Sequence, residues 1–163
     1  MKKVIYIPVV LALLTLANCS SPYRVFHDLD PSAHFEAYST YSFLDWTDGN
    51  KNTITAMERE RIRTAVARGL EDAGLKFQSE GADIKVKITV YFREAREYFY
   101  YSPTTYNYIE RAIALDLFEA GTKKHVWHSA VVGEVEQDPG LREEELPGLV
   151  SRLMEHYPGK KSI

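Results

Sequence analysis

His125-Val126-Trp127-His128 places two imidazoles three residues apart, a spacing that invites a metal ion. The segment reads as a strand, where residues three apart leave opposite faces, so the rings are not expected to converge and no metal ligand set is expected. His27, Asp28 and Asp30 form a second polar group near the start of the domain. Calcium takes six to eight oxygens and only two carboxylates are supplied locally, which favours incidental polarity. Asp116 and Glu119 with Glu134 and Glu136 would lie near one hairpin. They are a conceivable carboxylate pair for hydrolysis of an envelope glycan, the alternative to a non-enzymatic role, but their spacing does not favour this over solvated edge charges. The sequence has no Gly-x-Ser-x-Gly elbow, no Gly-rich phosphate loop and no His-Glu-x-x-His helix, so no catalytic residue and no cofactor is expected.

The densest run of potential binding groups is aromatic. Tyr98, Phe99, Tyr100, Tyr101, Tyr106 and Tyr108 fall between the two clearest strands. Strand residues alternate faces, so the rings cannot all enter one core and some must be exposed. Exposed tyrosines offer flat, amphipathic surfaces for a sugar or a protein, which makes Tyr98, Tyr100, Tyr101, Tyr106 and Tyr108 candidate contacts for a glycan or protein partner of the envelope. The competing expectation is structural: the hairpin lengthens and the rings form cross-strand ladders.

Cys19 is the only cysteine. Before it, Lys2 and Lys3 precede an uncharged apolar run of thirteen residues, Val4 to Leu16, too short to span a bilayer as a helix and laid out like an export signal. Leu16-Ala17-Asn18-Cys19-Ser20-Ser21 resembles a bacterial lipobox, which implies cleavage after residue 18 and diacylglycerol on the Cys19 thiol. Acyl chains at ~0.8 kcal/mol per buried methylene then hold the chain on a membrane without a transmembrane helix. The expected organisation is a signal peptide at 1–18, a lipidated cysteine and short tether at 19–24, one domain at 25–158 and a tail at 159–163. With Ser20 and Ser21 after the cysteine, attachment to the outer membrane facing the periplasm is expected.

The elements that must position these groups follow from periodicity. Tyr23 to Asp30 and Tyr38 to Phe43 read as strands. Thr55 and Glu58 have the spacing of a capping box ahead of a helix at about 56–73, whose Ile62, Ala65, Val66, Leu70 and Ala73 share one face. Gly74 supplies its stop. Ile84, Val86, Ile88, Val90 and Phe92 alternate with polar partners, the strongest strand signal in the chain. Strands at about 109–118 and 126–135 should pair as a hairpin, Asp138-Pro139-Gly140 should end the sheet, and a last helix is expected at about 146–157. The fold class expected is α+β, an antiparallel sheet of about five strands with two helices packed on one face.

Composition agrees with a globular domain. The 163 residues are 45% hydrophobic and 26% charged. Of 20 basic residues, loss of Lys2 and Lys3 with the signal leaves 18 against 23 acidic ones, a formal charge of −5 that disfavours nucleic acid. The segments Phe35 to Phe43, Ala82-Asp83-Ile84-Lys85-Val86 and Leu115 to Trp127, with a tyrosine-rich insert and a closing Tyr157-Pro158 pair, together resemble the envelope lipoprotein family known as domain of unknown function 4136. The resemblance implies a lipid-anchored periplasmic or outer-membrane domain and no particular reaction. The expectation is therefore a binding or scaffolding module anchored to the membrane.

Overall fold

The computed structural model describes residues 23–46, 54–98 and 105–159. The expected signal peptide, Cys19 with most of its tether, Tyr100 and Tyr101, and the last four residues lie outside the described residues. Among the described residues six strands form one sheet: β1 Arg24–Leu29, β2 Thr40–Phe43, β3 Lys76–Phe77, β4 Ile84–Tyr98, β5 Thr105–Glu119 and β6 His125–Glu134. Among the described residues two α-helices, α1 Ala56–Asp72 and α2 Pro139–Leu153, and a short 3-10 turn at Phe35–Ala37 accompany them.

The strand order is β1-β6-β5-β4-β2-β3. The expected antiparallel sheet of about five strands is thus corrected to a mixed sheet of six. Four strands, β1, β6, β5 and β4, are antiparallel, but β2 runs parallel to β4 and to β3. The cause is the crossover: the chain leaves β2, passes through α1 and re-enters the sheet in the same direction, as a helical connection requires. β3 has only two residues, too few to carry a period.

In α1, the Thr55 hydroxyl accepts the Glu58 N–H at 3.1 Å. The expected return bond gives way to ion pairing, since the Glu58 carboxylate turns to Arg111 at 3.6 Å and Arg142 at 3.5 Å. Gly74 takes a φ of 93° and Leu75 N–H reaches back to the Leu70 carbonyl, a left-handed stop with an apolar clasp. α2 starts at Pro139, seven residues earlier than expected. Asp138-Pro139-Gly140 is a helix start: the Asp138 carboxylate accepts from Gly140 N–H at 2.8 Å and Leu141 N–H at 3.0 Å, and proline needs no donor in the first turn. Glu143, Glu144 and Glu145 accordingly lie within the helix, and it ends at Leu153 rather than near Tyr157.

Both helices cover one face of the sheet, as expected. Ile62, Val66 and Leu70 of α1 and Leu149, Val150 and Leu153 of α2 join one core with Ile84, Val86, Ile88 and Val90 of β4, Ile113, Leu115 and Leu117 of β5 and Trp127 of β6. The helices meet at Gly69, where a Cβ would stand 2.4 Å from Val150 Cγ1. Trp127 is a core residue, capped by the Tyr157 ring at 5.6 Å and 79°.

The parallel pairing is fixed at its start by one carboxylate oxygen. Asp83 Oδ2 accepts the backbone N–H groups of Ser39 and Thr40 at 2.9 and 2.8 Å and their hydroxyls at 3.0 and 2.8 Å. Asp83 N–H donates in return to Thr40 Oγ1 at 3.0 Å. These bonds, led by the Ser39 N–H, hold the Asp83 carboxyl below its ordinary range against the opposing effect of burial.

Two expectations follow. Gly69→Ala gains helix propensity but drives a methyl into Val150, for a net loss of about 1–2 kcal/mol and a fall in Tm of about 3–8 °C by calorimetry. Asp83→Asn should cost about 1–3 kcal/mol at neutral pH. Because the folded-state pKa of Asp83 is lowered, its contribution is complete above the unfolded value of ~3.9 and is lost as pH falls through the folded one. The stability gap between the native chain and Asp83→Asn, measured by denaturant titration, should therefore narrow below about pH 4.

Candidate functional site

β4 and β5 pair without interruption from Ile84 opposite Glu119 to Tyr98 opposite Thr105. Their neighbours are shorter. β6 flanks β5 from Glu110 to Phe118, with one further bond from Val135 N–H to the Ile109 carbonyl, and β2 flanks β4 only from Ile84 to Val86. Beyond Ile109 the two strands continue as a ribbon with no flanking strand among the described residues. This is the lengthened hairpin expected as the structural alternative, but its rings are not buried: Tyr98 is 71% and Tyr106 47% exposed, and Tyr108 is half-buried.

The ribbon is braced at its root. Tyr106 and Tyr108, two apart on one face, stack at 5.6 Å, and the Tyr106 hydroxyl donates to Glu134 at 2.6 Å, which with the nearby negative charge raises the phenol's pKa. Next along that face Glu110, 4% exposed, receives Arg24 at 2.6 Å and Arg93 at 2.5 Å, joining β1, β5 and β4. Behind it, Arg111 is buried on the helical side against Glu58, with Nη2 lacking any partner. Burial lowers its pKa.

A second group lies at the other end of β5. Asp116 Oδ1 is 2.7 Å from His128 Nδ1 and 3.1 Å from His125 Nε2. The expectation that the two imidazoles diverge is corrected here. The ladder between β5 and β6 pairs Leu117 with Trp127 but Phe118 with His125, so Val126 is an extra residue in a β-bulge. Val126 and Trp127 are both buried, at 1% each, which turns His125 and His128 onto the opposite, open face together. The Phe118 ring stacks on His125 at 4.8 Å. Two consecutive apolar residues inside an alternating strand were the available signal of this bulge. Asp116, His125 and His128 are the only group among the described residues whose nitrogen and carboxylate atoms lie close enough to share a metal ion.

The other expected clusters disperse. His27 stacks on His156 at 4.0 Å, while Asp30 accepts from Lys124, from the Ser32 hydroxyl at 2.7 Å and from the Ser32 N–H at 2.8 Å. Those bonds, that of Lys124 foremost, lower its pKa to about 2. The carboxylates considered for a hydrolytic pair take separate partners: Glu119 accepts from Thr122 at 2.5 Å, Glu134 from Tyr106, and Glu136 from the Asp138 N–H at 2.9 Å. A groove of about 630 Å³ runs between the helices over Ala65, Gly69 and Val150, crossed by the Arg61–Glu143 pair at 3.1 Å. No helix among the described residues is long and apolar enough to cross a membrane.

Solved structures share this architecture at very low identity. A PDZ domain protein from Parabacteroides distasonis matches with a TM-score of 0.56 at 12% identity over 94% of this chain, which spans only 40% of that protein. The PelC dodecamer from Paraburkholderia phytofirmans matches with a TM-score of 0.55 at 10% identity, over 86% of this chain and 99% of the PelC chain, and a PelC variant gives 0.56 at 8%. At such identities the likeness is one of fold. The comparison with curated proteins gives no significant match. The sequence profile of one family covers residues 25–159, nearly every residue of the sheet and both helices, and the chain belongs to that family, described as Domain of unknown function (DUF4136).

Proposed function

We propose that this chain is a lipid-anchored protein of the cell envelope acting as a non-enzymatic binding or scaffolding module, with the β4–β5 ribbon as the element that meets a protein partner. The projection of that ribbon carries the reading. A two-stranded ribbon gains little stability by itself in water and leaves backbone donors and acceptors along both edges. Tyr98 and Tyr106 add large amphipathic rings beside those edges, the combination used when a partner strand is added to a sheet. Arg93, Glu94, Arg96 and Glu97 intersperse charges that discourage indiscriminate pairing. PelC, with the same fold, is a dodecamer, which supports assembly through this fold and makes another copy of the chain one partner to test. The lipobox-like sequence around Cys19 supports an anchor at the outer membrane, with the domain facing the periplasm.

Two experiments test the two halves of the proposal. A benzophenone side chain replacing Tyr98 or Tyr106 in cells should give photo-crosslinked products, and the same group at Met57, 70% exposed on α1, should not. Products in multiples of the chain's own mass identify another copy, other masses identify a separate protein, and no product from either tyrosine position overturns the ribbon as docking element. Cys19→Ser should leave an uncleaved precursor or move the protein from the membrane to the soluble fraction. Unchanged membrane association with the signal removed overturns the lipid anchor.

A further inference from the structure

The geometry points to a metal site on the open face of the sheet: we propose that Asp116 Oδ1, His125 Nε2 and His128 Nδ1 bind one divalent transition ion of the zinc–copper class. The three donor atoms all lie within 4.8 Å of one another, with the carboxylate oxygen 2.7 and 3.1 Å from the two nitrogens. Donors around a tetrahedral zinc at about 2.1 Å stand ~3.4 Å apart, so an ion is admitted when the carboxylate oxygen draws back by ~0.3 Å from His125 Nε2 and by ~0.7 Å from His128 Nδ1.

The donor chemistry selects the ion. Two imidazoles and one carboxylate suit zinc, copper, nickel or iron, with affinity highest at copper. A single carboxylate is a poor start for calcium, which needs six or more oxygens, or for magnesium, which is held by oxygen donors. Three protein donors leave at least one coordination position for water or an outside ligand. The approach is open, since the imidazoles are 46% and 36% exposed while Asp116 is 17% exposed. Asp28, the cross-strand neighbour of His128 on β1, leaves the same face and keeps it acidic.

The cluster is built rather than incidental in two respects. Without the extra residue Val126, a separation of three would send the imidazoles to opposite faces; the bulge re-aims one of them. The Phe118 ring beneath His125, at 4.8 Å and 26°, then limits how that imidazole can turn. The site is independent of the tyrosine ribbon: Tyr106 and Asp116 are ten residues apart on β5, ~33 Å along the strand.

The test uses the full chain, purified in detergent without a polyhistidine tag and stripped with a chelator. Equilibrium dialysis against micromolar Zn²⁺ should load about one ion per chain, and Zn²⁺ should raise Tm by several degrees in a chelator-reversible way. Electron paramagnetic resonance of the Cu²⁺-loaded chain should show two coordinating imidazole nitrogens, a readout that requires no variant. Asp116→Asn, His125→Ala and His128→Ala should each weaken binding at least tenfold while retaining the native circular dichroism spectrum. His27→Ala, which breaks only the stack on His156, should bind normally. Absence of stoichiometric binding, a copper spectrum without imidazole nitrogens, or undiminished loading of a His125→Ala/His128→Ala double variant would overturn the proposal.

Discussion

A single carboxylate oxygen determines how the two halves of this sheet are joined. Asp83 Oδ2 gathers four donors from Ser39 and Thr40, and the Asp83 N–H bonds back to Thr40, so the start of β4 and the start of β2 are locked side by side. Parallel strands cannot be aligned by a tight turn, and β2 and β4 share only three residue pairs. The clamp supplies the alignment that a hairpin loop gives its antiparallel neighbours. Once β2 is set, α1 is constrained to lie across the sheet between it and β4, and Ile62, Val66 and Leu70 reach the buried residues of β4. The position of α2 follows, because its Val150 packs on Gly69 of α1. The two strings that resemble the family near Thr40 and near Asp83 meet at this oxygen.

Much of this architecture could be read from periodicity, and the failures have local causes. Ile84 to Phe92 alternate cleanly because one face of β4 is core and the other open, and α1 shows its face for the corresponding reason. The start of α2 was hidden because Asp138-Pro139-Gly140 serves equally as a turn or as cap, first residue and first turn of a helix. The parallel strands were hidden because direction is a tertiary property, set by where the chain goes after β2. A strict period of two sends His125 and His128 to opposite faces because it allows no inserted residue, and Val126 is one. The aromatic run marks an extension of the hairpin, but no local pattern shows how far flanking strands will cover it; that depends on β6 and β2 being short.

The molecule divides its labour along the length of β5. The middle of the strand, Ile113 to Leu117, is core on one face. One end leaves the sheet as the tyrosine ribbon, and near the other stands the His–Asp–His cluster. This division uses the same physics twice: where helices cover the sheet, apolar side chains decide the sequence, and where they do not, the strand is free to carry groups that packing does not require. The same freedom fits the identity of only 8–12% with solved structures of the same fold.

The two residues that open the domain grip the sheet from both of its faces. The Tyr23 ring lies against Gly133 on the helical side, and its hydroxyl, pushed up to about pKa 12 by burial and by the Glu145 carboxylate, donates to Glu145 of α2 at 2.8 Å. Arg24 reaches over the open side to Glu110. Mechanically, a pull on the chain before Tyr23 enters at an edge strand, which by itself would peel away one hydrogen bond at a time. Here the load passes at its point of entry to α2 through the tyrosine and to β5 through the arginine. The contacts of Tyr23 with α2 and of Arg24 with β5 must therefore give way before the first ladder bonds of β1 can open.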